Sequence, residues 1–287
     1  MLSENQRHWG VDQWAAYLSS RELPCMPRSK ALLLEIEASL GDRLATRQLA
    51  DIAGSDPFLC LRLLREAESH RTQRLGHETT TTLAAVMQLG TESFRTLLLN
   101  SPETDETQSG LAQCEARASL ARHLALRWAA ARADISPDEV AMAALLSEIG
   151  ELLLWLVAPE IPEAANAALH SGRSLRSLQA QIDTCGFRFK DLTLKCAQLW
   201  HLPPLLTQLI RGIDNTRANL SRLCVDTARH LSSGGASDPA LPSDIAEARR
   251  IIPEASLLWL AEQLPGLEPE QVSLLADLAA QQAGPSA

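Results

Sequence analysis

A chain of 287 residues, 46% hydrophobic and 21% charged, is long enough to bury one large core or two smaller ones without disulfide staples. That length and composition exclude a disordered segment and a mini-protein. The 26 Lys and Arg against 35 Asp and Glu leave a net charge of -9, which argues against a surface that tracks nucleic-acid phosphates through clustered cations.

Leu occurs 51 times, Ile 11 times and Val only 6 times, so residues that favour pleated strands are scarce and an all-α fold is expected. In chain order, a short amphipathic helix is expected over Val11 to Leu18. Leu23-Pro24-Cys25-Met26-Pro27 reads as extended, because each Pro biases its predecessor away from helix. A helix over Lys30 to Leu40 follows, stopped by Gly41, and Thr46 is placed to cap Arg47 to Ala53. Asp56-Pro57 supplies an N-cap and a first-position Pro for a helix to about Ser69. Leu59, Cys60, Leu63, Leu64 and Ala67 fall on one buried face of that helix, with Arg62, Arg65 and Glu66 outside.

Thr82 is expected to cap Leu83 to Leu89, Gly90 to end that helix, and Thr91 to cap Glu92 to Asn100. A longer helix over Leu111 to Ala133 precedes Ser136-Pro137-Asp138-Glu139, which combines N-cap, first-turn Pro and capping-box Glu ahead of Val140 to Ile149. Further helices are expected over Pro162 to Ser171, Leu175 to Thr184, Lys190 to Trp200, Pro203 to Asp214 and Leu220 to Leu231. The tail is read as helices over Asp244 to Arg250, Glu254 to Leu264 and Pro269 to Ala280. The expected organisation is a helical lead-in (1–22) and a main domain (23–231) of two sub-bundles, 23–100 and 111–231, hinged at the polar stretch Ser101 to Gly110. A flexible linker (232–243) and a small helical extension (244–287) complete it.

The N-terminus lacks a charged segment followed by an apolar core, so no secretory signal is read there. The most apolar region, Ala141 to Ala158, is broken by Ser147, Glu148, Gly150 and Glu151 and stopped by Pro159, which suits a buried core helix better than a membrane span. Six cysteines without a C-x-x-C pair read as small buried hydrophobes in a reducing cytoplasm. Arg117, Arg122, Arg127 and Arg132, five residues apart, turn about 140° from one to the next on a helix and form no basic stripe.

Chemistry-bearing motifs are sparse. No G-x-x-x-x-G-K cradle and no G-x-S-x-G elbow occur. The seven histidines (8, 70, 77, 123, 170, 201 and 230) include no pair at i, i+3 or i+4. His123 and Glu148 are conceivable metal ligands, although a dispersed His or a helix-surface Glu is ordinarily solvated or satisfied by one hydrogen bond. No catalytic, cofactor-binding or metal residue is therefore assigned.

Leu49-Ala50-Asp51-Ile52 followed by Asp56-Pro57-Phe58-Leu59-Cys60-Leu61-Arg62-Leu63-Leu64-Arg65-Glu66-Ala67-Glu68-Ser69 resembles the signature of the HDOD family. So do the Leu-Pro-x-x-Pro approach at Leu23 to Pro27 and Ala85-Val86-Met87-Gln88-Leu89-Gly90 leading to Phe94 and Leu97. Gly186 with Trp200-His201-Leu202-Pro203 is similar to the family's late segment, and the resemblance covers about residues 20 to 215. HDOD domains resemble the HD superfamily of phosphohydrolases, in which His and a His-Asp pair hold the divalent metal that activates water. Here the position resembling the His-Asp pair is Ser147-Glu148, the upstream His falls near Ala118, the later His is Phe189, and the terminal His pair falls near Ile213-Asp214. The family's usual Asn-Ser is Glu68-Ser69.

The resemblance implies a non-catalytic regulatory or protein-interaction module of bacterial signal transduction, cytoplasmic, with a protein partner and with neither nucleic acid nor membrane. Two other readings stand beside it: a small-molecule or nucleotide sensor using the emptied metal cleft, and a divergent metal phosphohydrolase using Glu148, Asp183 or His123. Leu257, Leu258, Trp259 and Leu264 give the tail an apolar face, either a docking surface or a face packed back on the bundle.

Overall fold

The computed structural model describes residues 2–40, 44–70, 78–105 and 107–283. Gly41 as a helix stop, His77, and Glu106 within the expected hinge lie outside the described residues. The protein is all-α, and the described residues contain one isolated β-bridge and no strand. The bridge is Cys25 with Glu103, formed by Cys25 N donating to Pro102 O at 2.8 Å and Thr104 N donating to Cys25 O at 2.9 Å. It holds the proline-flanked lead-in extended, as its composition required.

Chain order gives α1 (Val11–Ser19), α2 (Pro27–Leu40), α3 (Thr46–Gly54), α4 (Pro57–Ser69), α5 (Thr82–Leu89) and α6 (Thr91–Leu99). Next come α7 (Ser109–Ala129), α8 (Pro137–Leu146), α9 (Ile149–Val157), α10 (Glu160–His170), α11 (Ser177–Cys185) and α12 (Phe189–Leu199). The remainder is α13 (Pro204–Arg211), α14 (Thr216–Gly234), α15 (Leu241–Ile251), α16 (Leu257–Glu262) and α17 (Pro269–Ala283).

Several helix starts shift by a turn or a residue for identifiable reasons. Pro27 opens α2 itself, because a residue with no N–H belongs at a first helical position. Thr46 is the first residue of α3 rather than its cap; Gln48 Oε1 accepts from Ala45 N at 2.9 Å and does the capping. Thr81, not Thr82, caps α5, accepting from Ala84 N at 3.2 Å. Gly90, at φ 84°, both ends α5 and precedes α6, a conformation open to glycine at little cost. Ser136 caps α8 as expected, accepting from Glu139 N at 3.4 Å. That helix stops at Leu146, however, and α9 begins at Ile149. The stretch Pro137–Val157 is apolar and long enough to cross a membrane, yet 78% of its most apolar window is buried.

The chain divides into two compact units, Met1–Ala116 with Leu146–Thr207, and Arg117–Leu145 with Gln208–Ala287. These ranges do not coincide with the expected sub-bundles 23–100 and 111–231. In the first unit α3, α4 and α6 pack on α5, α1 and α9 pack on α12, and α10 packs on α9 and α11. Trp14 of α1 is buried, and Asp12 pairs with Lys195 of α12 at 2.7 Å, so the lead-in is part of this core.

The second unit has its own core around Leu124, Trp128, Leu220, Cys224, Ile245 and Leu260. Trp128 Nε1 donates to Leu260 O at 3.2 Å, and Arg217 pairs with Glu139 at 3.0 Å. Residues 232–243, expected as a flexible linker, are instead the end of α14, a short 3-10 turn over Gly235–Ser237 and the start of α15. Leu241 is completely buried there and Pro242 is buried beside it, which fixes the end of the segment by apolar burial that its Gly, Pro and Ser content concealed. The tail helices are likewise core: Leu260 and Leu264 are buried, and Leu257 and Trp259 pack against the same cluster. Only Leu258 of the tail's expected apolar face stands exposed.

Asp56 organises the first unit. Its side chain is fully buried; Oδ1 accepts from Phe58 N (3.0 Å) and Leu59 N (2.9 Å), and Oδ2 from Met26 N (2.7 Å) and Ser29 Oγ (2.8 Å). One carboxylate thus caps α4 and ties it to the start of α2. Burial pushes its pKa up, and the four donors oppose that shift. Asp56→Ala removes a cap and leaves a buried N–H and a hydroxyl without acceptors, so urea unfolding should show a loss of about 3–5 kcal/mol, while Asp56→Asn should lose less.

Candidate functional site

Of the positions resembling the HD metal ligands, Ala118, Glu148 and Phe189 are buried, whereas Ile213 and Asp214 are exposed after α13. Ser147 and Glu148 form the break between α8 and α9, and Glu148 is buried. Across from this break, Thr193 of α12 accepts from Gly150 N at 3.0 Å, and its hydroxyl lies 3.2 Å from both Ser147 O and Phe189 O. Gly150 is required by this contact: a Cβ there would stand 2.5 Å from Phe189 O and 2.8 Å from Thr193 N, and both are backbone atoms that cannot swing away. Phe189, at the later His position, is buried, as is Ala118 in the other unit.

The candidate ligands lie on different parts of the chain. Asp183 lies exposed on α11, accepting from Gln179 Nε2 (2.6 Å) and Ser174 Oγ (3.3 Å). Glu148 belongs to the same compact unit, and His123 lies on α7 in the stretch belonging to the other. Partial desolvation, then Arg127 and Arg122, lower the His123 pKa. Among the described residues no three of His, Cys, Asp and Glu stand together as a metal site. A methyl and a buried phenyl ring offer no lone pair, so the residues present do not fit the HD metal centre.

Burial pushes the Cys25 thiol up to about 11 and Cys196 to about 12, and raises Cys224 and Cys185 too, which disfavours the nucleophilic thiolate at these four positions. All six cysteines are free.

A cleft of about 420 Å³ opens elsewhere in the first unit, among the residues before α2, the outer side of α4 and the turn after α12. Arg62 and Arg65, assigned to the solvent side of α4, are half-buried in its wall. Arg62 donates through Nη1 to Leu23 O at 2.7 Å and to Glu22 Oε1 at 3.1 Å, which leaves its Nη2 and Nε donors toward the cleft without a bond among the described residues. The Arg65 guanidinium lies 5.1 Å from the centre of the Trp200 ring, a cation–π placement. Trp200 is 6% exposed, and His201 beside it takes φ 53°. Neither α4 periodicity nor spacing could show this cleft, since Trp200 is 135 residues from Arg65. The one sequence signal is Trp200 itself, in the segment similar to the late part of the HDOD signature.

The HDOD domain family model matches residues 26–216. The chain belongs to the HDOD family. Solved structures agree on the fold: the MmoQ response regulator of Methylococcus capsulatus is 20% identical with a TM-score of 0.61, covering 90% of this chain and 99% of its own. A virulence factor of Campylobacter jejuni is 17% identical with a TM-score of 0.69, covering 91% and 100%. No curated protein sequence matches the chain.

The HDOD signature residues are then legible as structure. Asp56-Pro57 is the cap and first turn of α4, Gly186 (φ 81°) stops α11, and Trp200 closes α12, its backbone N–H donating to Cys196 O at 2.9 Å. Glu68, at the usual Asn position, has Oε1 3.4 Å from Thr79 N.

Two outcomes follow. Gly150→Ala should lower stability by about 1–3 kcal/mol in urea titration, because the added methyl meets backbone on two sides. Iodoacetamide at mildly alkaline pH should modify half-buried Cys185 first in the native protein, with the other five thiols labelled only on unfolding, as read by peptide mass spectrometry.

Proposed function

We propose that this HDOD protein is a regulatory, protein-binding module of bacterial signal transduction that performs no chemistry of its own. The observation carrying this reading is the set Ala118, Ser147 and Phe189 at positions where HD hydrolases place imidazoles. Two of the three are buried apolar side chains, and water activation on a divalent metal needs carboxylate and imidazole donors around one ion. The description of the Methylococcus relative as a response regulator is in keeping with this role. A module of this kind acts by binding, and a net charge of -9 favours a protein partner in the cytoplasm over nucleic acid or an anionic membrane surface.

Full-length protein purified without chelator should carry only traces of Mn, Fe, Ni and Zn and leave bis(p-nitrophenyl) phosphate intact. Stoichiometric metal together with turnover would overturn the non-catalytic half of the proposal. Cross-linking in the native cell, read by mass spectrometry, should recover a reproducible protein partner of the full chain; repeated recovery of none counts against the binding half. Truncation before α15 is no substitute, because it removes Leu241, Ile245, Leu260 and Leu275 from the second unit's core.

A further inference from the structure

The cleft beside α4 departs from the electrostatics of the rest of the chain. Arg21, Arg62 and Arg65 line it against Glu22 and Glu66, a cationic excess in a protein of net charge -9. The acids are partly occupied: Glu22 pairs with Arg62 at 3.1 Å, and Glu66 lies 3.5 Å from His70 Nδ1. Arg21 stacks over the Tyr17 ring at 4.5 Å and donates to the Tyr17 hydroxyl.

Arg65 differs from its neighbours. It is half-buried, and among the described residues no carboxylate, carbonyl or hydroxyl accepts a hydrogen bond from it. Its surroundings are the Trp200 ring, the like charge of Arg62, Glu66 and the Cys196 thiol, which stays neutral. Burial first, and Arg62 second, lower its pKa, although a guanidinium remains cationic. A planar fork of donors, held over an indole at the cleft and bonded to no acceptor among the described residues, is arranged to receive an oxyanion. The volume of about 420 Å³ is that of a small-molecule site. His201 adds a second sign of function at the mouth: it is the one residue other than glycine with positive φ among the described residues, a backbone state that L side chains rarely hold. Three guanidiniums around one cleft suit a group with more than two acceptor oxygens, which favours phosphate over carboxylate.

We propose that this cleft binds the phosphate group of a small phosphorylated metabolite, with Arg65 as its principal contact and Arg21 and Arg62 flanking it. The site is separate from the positions resembling the HD metal ligands, and it does not depend on the protein-partner reading. Leu97 and Leu199 at its edges provide apolar surface for the rest of the molecule.

Calorimetry and thermal shift on the full chain, with ribose 5-phosphate and AMP set against ribose and adenosine, test it. At least one phosphate ester should bind and raise Tm, while its phosphate-free counterpart should not. Arg65→Gln should weaken that binding about tenfold or more without lowering the Tm of the free protein. Arg65→Lys, which keeps the charge but loses the fork, should fall between and serves if the Gln variant folds poorly. Arg173→Gln, at an exposed arginine outside the cleft, should leave affinity unchanged. No binding by either ester, or binding indifferent to Arg65→Gln, overturns the proposal. Inorganic phosphate binding as tightly as the esters would indicate an adventitious ion only, and binding of a phosphoserine peptide with neither ester would replace the metabolite with a protein segment; either result overturns it.

Discussion

The first unit depends on one buried carboxylate. Asp56 meets four donors, two from its own helix and two from the start of α2, so the register between these helices is set by hydrogen bonds rather than by apolar fit alone. An ion that is fully buried without a cationic hydrogen-bond partner survives only when its lone pairs are filled. That requirement couples the extended Leu23–Met26 segment to α4, and the same segment is held from its other side by the Cys25 bridge to Glu103. The placement of Arg62 and Arg65 in the cleft wall follows from it.

The region that resembles a hydrolase centre has been rebuilt around backbone contact. Gly150 lets α9 approach α12 so closely that no side chain fits between them, and Thr193 satisfies the amide this approach buries. Where a metal ligand would need space and a lone pair, this part of the first unit has the Phe189 phenyl ring and a hydroxyl-to-amide hydrogen bond. This is the physical ground for the proposal of a module that acts by binding, and the cleft beside α4 is where the proposed phosphate contact would lie.

Much of the fold was legible because its signals are local. Asp56-Pro57 and Ser136-Pro137 announce helix starts through fixed φ and an available oxygen, and Gly90 and Gly186 announce stops through positive φ. The cap expected at Thr82 falls on Thr81, an equivalent hydroxyl one position earlier, and the one expected at Thr46 is replaced by Gln48 Oε1, which accepts from Ala45 N. Residues 232–243 were read as a linker because Gly, Pro and Ser dominate them, whereas Leu241 and Pro242 are buried. Amphipathic periodicity placed Arg65 outside on α4, which is correct for an isolated helix and fails once Trp200 packs over that side.

The sequence by itself determined the helical class, most helix boundaries and the HDOD membership, because each is written in residue types at short spacing. Tertiary structure alone decided how the chain divides into compact units, that the tail is core, and that Arg21, Arg62 and Arg65 share one cleft with Trp200. These are contacts between residues tens to more than a hundred positions apart, and burial and charge pairing at such separations are properties of the packed chain that no local pattern encodes.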